Sequence, residues 1–171
     1  MSGLSPVSYT HLWFQWLKPA LEASRRLKDR KSEGTHLTDL GRVHRAIGET
    51  RRAIEFYEKA LVIDREIGDR KGEAVDLGCL GNVYDELGES RRAIEYHEQF
   101  LVVARETGDK WGEGLALNNI GSAYSSLHET RRAIEAYEQS LNIAREIGNL
   151  HGEGMAVSYT HLDVYKRQGL V

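Results

Sequence analysis

Three asparagines, Asn82, Asn118 and Asn119, stand in segments whose leucines, isoleucines and tyrosines recur with helical spacing, a setting that disfavours asparagine. Each carboxamide carries a donor and an acceptor, so a row of them can pair with the backbone of an extended peptide whatever its side chains. The residues that share this surface extend the same chemistry. Thr38, Arg42 and Arg45 precede the asparagines, Gly78 and Asp85 flank Asn82, and Ser122 and Ser125 follow Asn118, with Asn119 and its equivalents Asp39 and Cys79 on the border. Arg42 and Arg45 suit an acidic ligand residue, which Asp85 and Glu86 would repel further along. The purely structural alternative is that the two arginines pair with Asp39 and Glu49.

Other reactive side chains lack the spacing that chemistry needs. His36, His44, His97, His128 and His151 show no ligand register with carboxylates or cysteine, and His44 and His97 occupy aromatic core positions. Cys79 is the one cysteine, so no internal disulfide forms and a reducing compartment fits. Arg51-Arg52, Arg91-Arg92 and Arg131-Arg132 are framed by Glu49, Glu89 and Glu129 before them and by Glu55, Glu95 and Glu135 one turn on, the pattern of solvated ion pairs. With 23 Lys+Arg against 26 Asp+Glu and a net charge of −3, no basic excess addresses nucleic acid or an anionic membrane. No phosphate loop, nucleophile motif, membrane span or signal peptide is present. The expectation is a cytoplasmic protein with no catalytic residues, no metal and no cofactor.

The elements that position the polar surface repeat every 40 residues. Leu37, Leu40, Gly41 and His44 recur as Leu77, Leu80, Gly81 and Tyr84, then as Leu117, Ile120, Gly121 and Tyr124, and RRAIE recurs at Arg51, Arg91 and Arg131. Leu77, Leu80, Tyr84 and Leu87 form one stripe of an amphipathic helix, here helix A, which ends at Gly88. Ser90, like Thr50 and Thr130, is expected to cap a second helix, B, carrying Ala93, Ile94, His97, Leu101 and Ala104. Gly68, Gly108 and Gly148 end the B helices, and Asp69, Asp109 and Asn149 are placed to cap the next A helices. Gly41, Gly81 and Gly121 each cost about 1 kcal/mol inside a helix, which implies close approach of helix B, with Ala53, Ala93 and Ala133 as the expected partners. A period of this kind specifies stacked units that cannot bury their apolar faces alone.

The order Leu77-x2-Leu80-Gly81-x2-Tyr84, then Ala93-x3-His97, resembles the tetratricopeptide repeat, with leucine at the usual tryptophan position and a lengthened B helix. The resemblance implies an all-α, right-handed solenoid of antiparallel A/B hairpins whose A helices line a concave groove. The expected organisation is a partial upstream unit at 13–27, holding a B helix with Pro19 in its first turn, and full units at 28–67, 68–107 and 108–147. A truncated fourth unit starts at 148–156. Trp13, Phe14 and Trp16 form an exposed apolar cluster or belong to the lost part of that upstream unit.

Similar long-unit arrays occur in spindle-orientation scaffolds, kinesin light chains and the sensor regions of signalling ATPases. Family members that bind chaperone tails hold a carboxylate with lysine, asparagine and arginine; Thr38, Arg42, Cys79, Asn118 and Ser122 at those places imply that such tails do not bind. The expected function is a scaffold that takes a peptide or partner protein in the groove. The alternatives are a sensor or autoinhibitory array of a signalling ATPase or transcriptional regulator, and self-association through uncapped ends.

The hexapeptide VSYTHL occurs at Val7–Leu12 and Val157–Leu162, a spacing of 150 residues that breaks the period. The tail VSYTHLDVYKRQ resembles translated adapter or vector sequence, so 1–12 and 157–171 are expected to lie outside the repeat array.

Overall fold

A computed structural model describes residues 6–149, without the side chains of 6–12 and 14. Seven helices and no strand occur among the described residues: α1 Pro6–Leu27, α2 Arg30–Ala46, α3 Thr50–Ile67, α4 Arg70–Glu86, α5 Ser90–Thr107, α6 Lys110–Ser126 and α7 Thr130–Glu146. The chain is an all-α helical repeat solenoid in which α2, α4 and α6 are A helices and α3, α5 and α7 are B helices. None of the described helices is long and apolar enough to cross a membrane.

The B-to-A turns follow the predicted chemistry. Gly68 and Gly108 both take φ +70°, in the left-handed region that glycine enters without steric cost. Asp29, Asp69 and Asp109 then accept the amides of Ser32, Gly72 and Gly112 at 3.1, 3.0 and 2.9 Å. The A-to-B turns differ from expectation. Thr50, Ser90 and Thr130 are the first helical residues, and Glu49, Glu89 and Glu129 hold the cap positions without a side-chain cap bond. Their carboxylates turn instead to Arg52, Arg92 and Arg132 at 3.0, 3.1 and 2.8 Å.

An ionic clasp accompanies each B-to-A turn. Arg25, Arg65 and Arg105, in the last turns of α1, α3 and α5, hold Glu33, Glu73 and Glu113 at 2.9, 2.8 and 2.8 Å. Arg30, Arg70 and Lys110 hold the second oxygen of the same glutamates at 2.7, 2.5 and 3.1 Å. Burial would raise Glu33, but the two arginines prevail and its carboxyl lies below the usual value. Arg105 above all does the same for Glu113.

Contacts divide the chain into two compact units, Met1–Val83 and Tyr84–Val171, the division falling inside α4. In the first, Leu17 and Leu21 of α1 join Leu37, Leu40 and Val43 of α2 and Ala60 and Ile63 of α3 in one core, edged by Phe56. Gly41 is essential to that packing for a reason other than the one expected. A Cβ there would lie 2.5 Å from the Tyr57 ring, so the bare backbone makes room for an aromatic ring on helix B, not for Ala53. The second unit repeats the device, with Gly121 against Tyr137 at 2.6 Å. Its core draws on Ile94, Leu101 and Val103 of α5, Leu117 and Ile120 of α6, and Ile143 of α7.

Helix α1 starts at Pro6, so Pro19 lies well inside it and not in its first turn. The helix thereby includes the backbone of 7–12, whereas 157–162 lies outside the described residues. Trp13 and Trp16 are exposed.

Candidate functional site

In the first unit the polar face of α2 and α4 carries Thr38, Asp39, Arg42, Arg45, Cys79 and Asn82, and the structure treats them unequally. Thr38 is a correction to its expected surface role. It is buried, donating its hydroxyl to Asp76 Oδ1 at 2.6 Å and to the Gly34 carbonyl at 3.2 Å. Its position, one residue after core Leu37, turns it toward α4 and away from solvent. Arg42 is exposed and pairs with Asp39 at 3.3 Å. Glu49 joins His44 Nδ1 at 2.7 Å and Arg52 at 3.0 Å. His44 is buried and stacked on Phe56 with 5.0 Å between ring centroids.

Arg45, Cys79 and Asn82 are half-buried. Burial pushes the Cys79 thiol above its usual range, despite the nearby Arg42 and Arg45 guanidinium groups. Burial likewise raises the Tyr57 hydroxyl beside it.

In the second unit Asp85 is half-buried, 3.5 Å from Nε2 of the fully enclosed His97. Asn118, Asn119 and Ser125 are half-buried and Ser122 is exposed. Asn118 Oδ1 is enclosed without a donor among the described residues. It faces a recess of about 100 Å³ lined also by Trp111, Leu115, Ser140, Ile143 and Ile147. Trp111, 59% exposed, stands where the first unit has Lys31 and Lys71.

A buried acidic pair escaped the sequence reading. Asp64 near the end of α3 and Asp76 in α4 are 5% and 0% exposed. Burial, before any neighbouring charge, raises Asp64 to about 6 and Asp76 to about 7. Asp64 forms no ion pair among the described residues and lies within hydrogen-bonding reach of Asp76, so the pair must share a proton to avoid two unpaired charges. Gly34 and Gly72 leave room for the Asp64 carboxyl: a Cβ at Gly34 would lie 2.8 Å, and one at Gly72 2.1 Å, from its oxygens. The signal was present in the repeat alignment, where the positions of Asp64 and Asp76 hold Ala104 and Ala116 one unit on and Ser24 and His36 one unit back. Among the described residues no three His, Cys, Asp or Glu side chains are grouped to hold a metal.

Tetratricopeptide repeat models match residues 37–71 and 73–146, and the chain belongs to that family. No curated protein matches it. Among solved structures it is similar to aspartyl phosphate phosphatase F from Bacillus subtilis, with TM-score 0.81 and 16% identity over 92% of this chain and 41% of that one. It is also similar to a Pyrococcus horikoshii signal transduction ATPase with numerous domains and a tetratricopeptide repeat sensor, with TM-score 0.80 and 23% identity over 91% and 25% of the two chains. A Podosopora anserina kinesin light chain with nearly identical repeats gives TM-score 0.69 and 16% identity over 94% and 84%. The chain thus spans well under half of the first two proteins, and all three likenesses concern the fold alone.

Proposed function

We propose that this chain is a protein-interaction repeat module whose A-helix polar residues contact a peptide or partner protein. The observation that carries this is the contrast between recurring and diverging positions. Leu37, Leu77 and Leu117, with Leu40, Leu80 and Ile120, recur and are buried. The positions of Arg42 and Arg45 change to Asn82 and Asp85 and then to Ser122 and Ser125, all half-buried or exposed. A packing scaffold explains the first set, and a surface adapted to one ligand accounts for the second. In the first unit Arg42, Arg45 and Asn82 are the proposed contacts; in the second they are Asp85, Asn118, Asn119, Ser122 and Ser125. Thr38 supports the surface from beneath.

Peptide-display selection on the full chain tests this, beside a variant carrying Arg42→Glu, Asn82→Ala and Asn119→Ala. Peptides enriched by the parent and lost in the variant are the expected result. A folded, monomeric parent that enriches nothing would count against a peptide surface and favour an array that packs on other domains.

A further inference from the structure

A recess of about 360 Å³ opens on the first unit between the starts of α2 and α4, and its floor is unlike that of any other described junction. Thr38 and Asp64 line it, Gly72 removes the side chain that would cover the Asp64 carboxyl, and Asp76 lies enclosed behind them. Asp76 Oδ1 takes the Thr38 hydroxyl, while no N–H group or hydroxyl among the described residues donates to Oδ2.

The lining carries three basic groups, Lys31, Arg42 and Lys71, and three acidic ones, Asp39, Asp64 and Asp69. Two of the cations are engaged at the rim, Lys31 by Asp69 at 3.0 Å and Arg42 by Asp39 at 3.3 Å. With their shared proton Asp64 and Asp76 together carry one negative charge, which has no ion-pair partner among the described residues. The scaffold has no need of acid at these positions. Ala104 and Ala116 fill the equivalent places and are fully packed at 2% and 0% exposure. Two buried carboxyls that weaken folding, at a place where alanine suffices, mark a site built for something other than packing.

We propose that this recess binds one basic group of a partner polypeptide, a lysine ammonium or arginine guanidinium, which pairs with the Asp64 carboxyl at the floor as the proton shared by Asp64 and Asp76 leaves. The proposal rests on the interaction-module reading and gives the partner a required chemistry. The exchange balances: one cation enters, and the shared proton leaves to solvent. Lys71, exposed at the rim, repels a second positive charge and so limits the recess to one.

The test is an NMR titration of the full-length, ¹⁵N-labelled chain with the capped pentapeptides GGKGG, GGRGG and GGQGG at millimolar concentration. The expected result is that GGKGG or GGRGG moves the Thr38 and Gly72 amides and GGQGG does not. Affinity should rise up to about tenfold from about pH 5 to about pH 8 as the competing proton is removed. Asp64→Ala, which installs the residue the next unit already accommodates, should abolish the response, and the shape-conserving Asp64→Asn should abolish it too. Equal shifts with GGQGG, or shifts that survive both substitutions, would overturn the proposal. So would display-selected ligands that bind through Arg42 and Asn82 yet lack lysine and arginine, an outcome that leaves the interaction-module reading standing.

Discussion

Two junctions of this chain are built on one plan and differ at its centre. Where α3 passes to α4, Arg65 and Arg70 clasp Glu73; where α5 passes to α6, Arg105 and Lys110 clasp Glu113. Both turns use a left-handed glycine and an aspartate cap. Beneath this shared frame the first junction encloses Asp64 and Asp76, and the second encloses Ala104 and Ala116. The frame is therefore what folds the junction, and the enclosed acids are an addition that the frame tolerates. They are tolerated because Thr38 donates to one and a proton bridges the two; the second junction has Gly78 at the threonine position.

The sharpest way to break this comparison is to move the acid. Ala104→Asp places a carboxyl where neither a threonine nor a second acid receives it, and should destabilise the chain by about 3–5 kcal/mol in urea denaturation at neutral pH. A cost under about 1 kcal/mol would show that the site at 64 has no special support.

The next largest effect is a pH dependence confined to the first junction. The folded-state values of Asp64 and Asp76, about 6 and about 7, lie above the ordinary 3.8, so the folded chain holds protons that the unfolded chain has released. The resulting stabilisation is fully present below about pH 4 and is lost as pH rises through about 6 to 7. For a coupled pair this amounts to about 2–4 kcal/mol. Denaturation of the parent at pH values spanning that window should show the loss, and the Asp64→Ala/Asp76→Ala double variant should remain flat by comparison.

Glu113→Gln removes the charge from the clasp that both junctions share, and should cost about 1–2 kcal/mol. Because its carboxyl is held below the usual value, the Glu113 contribution is present above the unfolded pKa and lost as pH falls through the folded one, opposite in sign to the acid pair. The smallest effect lies in the A-to-B turns. His128 sits at φ +60° where the other units have Gly48 and Gly88 at +80° and +74°. His128→Gly should stabilise by about 0.5 kcal/mol, strain relief being partly offset by the greater freedom of glycine in the unfolded chain, read as a small rise in Tm.

The repeat, the helical hairpins and the aspartate caps were legible because each depends on residues within one turn of one another. The glutamate caps were missed because serine and threonine beside them satisfy the same local rule. At Gly41 the need for close approach could be read, but whether Ala53 or Tyr57 supplied the contact depended on how helix B is rotated, which one-dimensional spacing does not give. Thr38 was misplaced for a related reason: a position bordering an apolar stripe faces solvent or a neighbouring helix according to packing. Asp64 and Asp76 were hidden because each alone reads as an ordinary surface acid, and only the alanines at equivalent positions betray their burial. The Arg65–Glu73 clasp was visible in retrospect as an arginine and a glutamate eight residues apart, repeated at Arg25 and Glu33 and at Arg105 and Glu113.

That clasp bears on how such arrays change by duplication. Every unit presents a glutamate near its front and an arginine near its back, so a chain cut and rejoined between units would find its ionic joint intact whichever units became neighbours. The joint is a universal coupling. Asp64 and Asp76 stand on either side of one such seam, and each buried carboxyl would lose its partner if the other were replaced. Those two residues key the first full unit to the second, so that shuffling which leaves every clasp closed would still be rejected at this one place.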